Sequence, residues 1–398
     1  MAPKPDRTAN QSAQSRGSRT HPRQRSGVQI RVETRDRNHQ IGPQQHKRLH
    51  EASYRGKDSG LLGQPITVRS ILRKLLTVTI GATVATYLLA IALGLILLPL
   101  TTLGSDLLSN QELLVLGLFL FPFRTPASIN LLFLYLLLII IYAACFWVAF
   151  ITHGGFFHSL RALARGDRPP RIPNWLVVMP LASSALLLVV ILLTLAQERF
   201  GVPTGSLPPF PDYFLLFWLT YSPILEEWIF RISPLGLVVG LRIVIVKGPH
   251  SSFLLSFVLP DRAKAQAGLP HLYDKGWRGI HWSEWLGLAI TSLIFGLAHL
   301  LAGGGWQAGK VLTATLSALV LGIAFLVYGG YASVLLHWFF NFYFEIFALG
   351  SSLIGGILDA AAVLVSLITI ALGVVGLVLA ARYLLLRRRW GAPSTNSL

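Results

Sequence analysis

The chain has 398 residues, of which 53% are apolar and only 13% charged, with a formal net charge of +17 and a single cysteine. Soluble domains carry roughly 25% charged residues, so a string of soluble domains is excluded in favour of a polytopic helical membrane protein. The cation excess then reads as membrane topology and contact with anionic lipid, with no nucleic-acid partner expected. The lone Cys145 excludes an intrachain disulfide and a cysteine-based metal site.

Residues 1–65 are rich in Arg, Gln, Ser and Pro and nearly free of aliphatic runs. Such a stretch buries too little apolar surface to fold, so it is predicted to be a disordered basic tail. No hydrophobic core segment follows Met1, which argues against a secretory signal peptide. Eight apolar runs are long enough to cross a hydrocarbon layer of ~30 Å. They fall at about Leu75–Leu100, Leu131–Ile151, Trp175–Leu195, Phe214–Val246, Glu284–Leu301, Val311–Tyr328, Ala332–Leu349 and Ala360–Leu386. A further apolar piece, Leu113–Phe123, is too short to span, contains Pro122, and is expected to be interfacial or re-entrant.

The basic flank Arg69, Arg73 and Lys74, the loop with Arg161, Arg165, Arg168 and Arg171, and the 247–283 loop all belong in the cytoplasm by the positive-inside rule. Both termini are therefore expected to be cytoplasmic, in what reads as a bacterial plasma membrane protein. The Gln197–Asp212 loop, poor in charge and rich in proline, suits the outer side. The expected fold class is all-α, a transmembrane bundle of about eight spans. Its expected organisation is the tail (1–65), N-terminal spans (66–210), a central block of spans (211–350) and a C-terminal span with its tail (351–398).

Within the fourth run lies Glu226-Glu227-Trp228-Ile229-Phe230-Arg231. An ionised Asp, Lys or Arg at a bilayer centre costs about 2.5–3.5 kcal/mol, so charges kept there are paired or used for chemistry. Glu227 and Arg231 are four residues apart and share a helix face, so they can pair. Glu226 points about 100° away from Glu227 and is left to face something else. Later runs supply the candidates: Phe295 and His299 lie one turn apart on one face, and so do His337 and Asn341.

These groups suit peptide-bond hydrolysis. A carboxylate can take a proton from water, a His can hold that water or protonate the leaving amine, and a second His with an Asn amide can donate to an oxyanion. Two His and one carboxylate are also a common catalytic zinc set, so a zinc-dependent endopeptidase is an alternative to a cofactor-free one. A transporter or scaffold that uses the cluster as an ion or proton relay is the rival from another class. His50-Glu51 is not followed by the spacing of a His-Glu-x-x-His zinc motif. His250, His271, His281, Asp261 and Asp274 are read as ordinary loop residues.

Glu-Glu-x-x-x-Arg, Phe-x-x-x-His and His-x-x-x-Asn, each in an apolar run, resemble the signature of the CPBP family. This family comprises type II CAAX prenyl endopeptidases and bacterial bacteriocin-processing or immunity proteins, also described as glutamic intramembrane proteases. The resemblance covers about residues 214–350, roughly a third of the chain. It implies that Glu226 and His299 activate water, that His337 and Asn341 form the oxyanion hole, and that Glu227 and Arg231 play supporting roles. Phe295 is read as a packing residue under His299. The resemblance also implies a peptide or membrane-associated protein substrate and a site opening towards the cytoplasm. Ile232 stands where members often have Gly, and the 247–283 loop is longer than usual. Counting along the runs places His299 about 15 residues and His337 about five or six residues from the same membrane face, some 22 Å against 8–9 Å at ~1.5 Å per residue. A common site therefore requires tilted or offset helices, or a Trp282–Trp285 region lying outside the lipid.

Overall fold

The computed structural model describes residues 67–118, 121–168, 170–301 and 304–390. The expected tail of residues 1–65 and the end of the C-terminal tail lie outside the described residues. Among the described residues, eight helices are long and apolar enough to cross a membrane: α1 (Val68–Leu100), α2 (Leu131–Ile151), α3 (Trp175–Arg199), α4 (Asp212–Lys247), α5 (Trp282–Leu301), α6 (Ala308–Tyr328), α7 (Gly330–Ile354) and α8 (Ile357–Trp390, apolar as far as Tyr383). They correspond to the eight runs read from the sequence, and the protein is an integral, multi-pass membrane protein. Large apolar side chains such as Ile140, Ile245 and Leu367 are exposed on helix exteriors, as a lipid-facing surface requires.

The helix α7 forms the centre of the bundle. In its apolar window 72% of residues are buried, against 22–44% in the other seven helices. Its Trp338 is fully buried and packs edge-on against Tyr87 of α1 and Phe146 of α2. Sequence-local chemistry sets where the helices begin. Asn174 caps α3 by accepting from the Leu176 amide at 3.0 Å, while its own Nδ2 donates to the Ala149 and Thr152 carbonyls, tying α3 to the end of α2. Between α6 and α7 the chain reverses at Gly329, whose φ of +107° a side chain would strain.

The structure gives the short Leu113–Phe123 piece a conformation that the sequence reading did not specify. Its described residues belong to an antiparallel pair of strands, β1 (Gln111–Leu118) and β2 (Phe121–Asn130), with Gln111 opposite Asn130 and an irregularity between Leu113 and Val115. A two-stranded ribbon satisfies backbone groups between its strands and tolerates Pro122 and Pro126, because both strands are edges; a helix would not. Tyr221 of α4 donates its hydroxyl to the Val115 carbonyl and ties the strand pair to the bundle.

The loops gather at two ends. At one end the 152–174 and 248–281 segments meet: Arg171 donates to the Tyr273 and Asp274 carbonyls at 2.8 and 2.6 Å, and the Gly330 amide donates to the Val258 carbonyl at 2.8 Å. At the other end the 200–211 loop lies against the start of α6, with Gln307 and Gly309 amides donating to the Thr204 and Pro203 carbonyls, each at 2.9 Å. The 248–281 segment is anchored from within. Its buried Lys264 donates to the Gly279 carbonyl and to Glu284 Oε2, each at 2.9 Å, and Arg242 reaches Glu284 Oε1 at 3.0 Å. In the first turn of α5 only Glu284 is buried by these contacts, while Trp282 and Trp285 remain exposed.

Candidate active site

The helix α4 carries two features that set the geometry of its acidic pair. Residues Trp228–Ile232 form a π-helical turn. Pro234 follows it, lacking an N–H and crowding the carbonyl of Phe230, and the Ser233 hydroxyl donates to the Trp228 carbonyl at 2.8 Å. The second π-helical turn, Phe339–Tyr343, interrupts α7 two residues after His337 and contains Asn341. Wide turns of this kind re-aim side chains and recur at functional sites.

Glu227 is fully buried and forms an ion pair with Arg231 at 3.1 Å, as the four-residue spacing predicts. Its Oε1 also lies 2.8 Å from His337 Nδ1. A carboxylate only accepts, so Nδ1–H donates and the tautomer of His337 is set by this bond. His337 Nε2 then faces the second carboxylate, Glu226 Oε2, at 3.5 Å. The His299 Nδ1 lies 2.9 Å from the Phe295 carbonyl, which also can only accept, so Nε2 is the nitrogen left available to a ligand or water. Asn341 Nδ2 donates to Ser222 Oγ at 2.9 Å and retains a second N–H.

Phe295 joins these parts. Its ring lies 4.7 Å from the His299 ring and 5.9 Å from the His337 ring, and the Arg231 guanidinium sits 4.0 Å over its face. This aromatic bridge lets His299, near the end of α5, and His337, in the second turn of α7, serve one site. A close approach of helices sets the position of α5: a Cβ on Gly296 would come within 2.6 Å of the Val311 carbonyl of α6.

Glu226, His299, His337 and Asn341 all line a single cavity of ≈ 570 Å³. Ser222, Lys310, Glu345 and the Gly205–Phe210 stretch also line it. The Lys310 ammonium sits 3.7 Å over the Trp306 ring at this wall. Sequence reasoning missed Lys310, Ser222, the 205–210 strap and the Glu227–His337 bond. Only Ser222 had a local signal, since it precedes Glu226 by one helical turn on the same face.

Both imidazoles have their Nδ1–H engaged, an arrangement also seen where Nε2 binds a metal. Among the described residues, however, no group of three or more His, Cys, Asp or Glu side chains is placed to hold a metal ion.

No curated protein and no solved structure matches the chain. A family model does match, and the matched segment contains Glu226, Glu227, Arg231, Phe295, His299, His337 and Asn341. Residues 208–343 are similar to the family described as Type II CAAX prenyl endopeptidase Rce1-like, the family that the sequence motifs resemble.

Proposed function

We propose that the protein is an intramembrane endopeptidase that hydrolyses a peptide bond with a water activated by Glu226 and His299. The observation that carries this reading is the convergence of Glu226, His299, His337 and Asn341, from three separate helices, on one cavity. The Rce1-like match supports a CAAX-protease-like peptidase at the level of the family.

In the proposed reaction the Glu226 carboxylate accepts a proton from water, whose oxygen attacks the carbonyl carbon of the scissile bond. Negative charge moves to the carbonyl oxygen, where the second N–H of Asn341 is available to donate. With its Nδ1–H held by Glu227, His337 can donate from Nε2 only in the imidazolium form. Collapse of the tetrahedral intermediate breaks the C–N bond, and the proton taken from water passes to the leaving amine. Donors of this kind contribute about 2.7–4 kcal/mol each to stabilising the intermediate. Glu227 and Arg231 hold the imidazole and do not touch the reacting atoms. The substrate class is a peptide or a membrane-associated protein, since the groups are reached only within the bundle.

The test is reconstitution of the purified protein in liposomes with a membrane-linked peptide. This reading expects cleavage that survives treatment with a chelator. Loss of cleavage on chelation, restored by zinc, selects the zinc variant. Proton-coupled flux with no cleavage selects a relay.

A further inference from the structure

The two ends of the bundle differ in charge, and the cavity belongs to one of them. The first end gathers the start of α1 with the 152–174 and 248–281 segments; Arg73 lies against Gly166, and Arg171 is bonded to the 273–274 backbone. The end of α8 joins them, since Tyr383 shares a cavity wall with Arg171. Arg161, Arg165, Arg171, Arg262, Lys275 and Arg278 are all exposed here. The second end holds the β1–β2 pair, the 200–211 loop, the start of α6 and the turn between α7 and α8. Its described residues include Asp106, Glu112, Glu198, Asp212 and Asp359, with Arg124, Arg199 and Lys310 as the cations. Acids thus outnumber bases at this end, and the reverse holds at the other.

Two walls of the cavity are made by the acidic end: the strap Gly205–Phe210 and Trp306, which are bridged through Gly205 and Trp306. Glu226 belongs to the half of α4 that starts at Asp212, the half nearer this end. Cytoplasmic loops carry the excess of Lys and Arg, and the anionic cytoplasmic leaflet attracts them. The strap and Trp306 put the cavity nearest the acidic end, and a site reached from the cytoplasm through that end would require all the basic segments to be outside together. If the cavity is reached through that end, the two expectations drawn from the sequence, basic loops inside and a site opening inside, pull apart, and the inference below follows the charge distribution.

We infer that the site opens on the extracytoplasmic face of the membrane and takes its substrate there: a polypeptide segment emerging from the bilayer on the outer side, or a peptide delivered to that side. The substrate half of this inference rests on the endopeptidase reading above; the orientation does not. The class of substrate changes accordingly. A soluble protein tethered to the cytoplasmic leaflet by a lipid cannot reach the strap, whereas the outer juxtamembrane segment of a single-span protein can.

Orientation is tested by single-cysteine labelling in a Cys145→Ala background, using spheroplasts and a membrane-impermeant maleimide. Ser206→Cys, in the strap, and Gln307→Cys, beside it, are exposed positions at the acidic end. Lys275→Cys is an exposed position at the basic end. The expected result is labelling of Ser206→Cys or Gln307→Cys in intact spheroplasts and of Lys275→Cys only after permeabilisation. Labelling of Lys275→Cys in intact spheroplasts, or of the strap positions only after permeabilisation, overturns the inference. A second arm uses two single-span reporters carrying the same cleavable segment, one on each side of the membrane. Cleavage of the outer reporter alone is expected, and cleavage of the inner one alone overturns the substrate assignment. Cleavage of neither, with the labelling pattern as expected, removes the endopeptidase reading and leaves the orientation standing.

Discussion

Glu227 Oε1 and His337 Nδ1, 110 positions apart in the chain, lie 2.8 Å from each other inside the bundle. The bond selects which imidazole nitrogen meets Glu226, and the Arg231 ion pair at 3.1 Å holds the carboxylate that makes it. Breaking a buried pair by removing one partner leaves an uncompensated charge and costs about 3–5 kcal/mol, more than any exposed pair contributes. Glu227→Ala is expected to lower stability by that amount in denaturant unfolding of the detergent-solubilised protein. The double variant Glu227→Met with Arg231→Met is expected to recover most of it, because neither charge is then buried alone.

Asn341 acts, in the proposed reaction, only once negative charge has developed on the substrate oxygen. Asn341→Ala is therefore expected to reduce kcat by about 10²–10³-fold with little change in KM. Steady-state kinetics on a membrane-linked peptide separates this outcome from a binding defect, which would raise KM instead.

Gly296 sits where α5 and α6 come too close for a side chain, one helical turn before the end of the His299 motif. Gly296→Ala is expected to destabilise the protein by about 1–3 kcal/mol through overpacking. Because His299 rides on the same helix, cleavage should fall with stability. Thermal unfolding and activity measured on the same preparation check both.

Outside the membrane-spanning segments, burial pushes the Asp261 carboxyl above its usual range, against the opposing pull of the Leu272 amide and the nearby Lys264. A carboxyl whose folded pKa is raised stabilises the fold at low pH, and that contribution is lost as the pH rises through the folded value. Asp261→Asn keeps an oxygen to accept from the Leu272 amide, a bond of 2.7 Å in the native chain. The variant is expected to match or exceed the native protein in stability at neutral pH, with the difference vanishing below the unfolded carboxyl range. Thermal unfolding measured across that range provides the check.

The eight helices were legible because each is a long apolar run, and length alone separates spans from shorter segments. The Glu227–Arg231 pair was legible because a four-residue spacing is local helix geometry. The β1–β2 pair was not, since an apolar run of about eleven residues fits a strand pair or a short helix equally, and only the pairing of its two halves decides. The π-helical turns after Glu227 and His337 leave no mark in hydrophobic periodicity. The Glu227–His337 bond, the buried Lys264–Glu284 pair and the strap over the cavity depend on contacts between distant segments, which no spacing rule reaches. Lys310 escaped for a different reason: at the start of an apolar run it looks like an interfacial anchor, and only the cavity wall reveals where it sits.

The central claim is that the Glu226 carboxylate takes the proton from the attacking water. It is tested most directly by comparing cleavage of a membrane-linked peptide by the native protein and by Glu226→Gln, both reconstituted in liposomes and shown to unfold at the same temperature. The amide keeps the shape and cannot accept the proton, so the rate is expected to fall by about 10²–10⁴-fold. A Glu226→Gln protein that cleaves at the native rate contradicts the account.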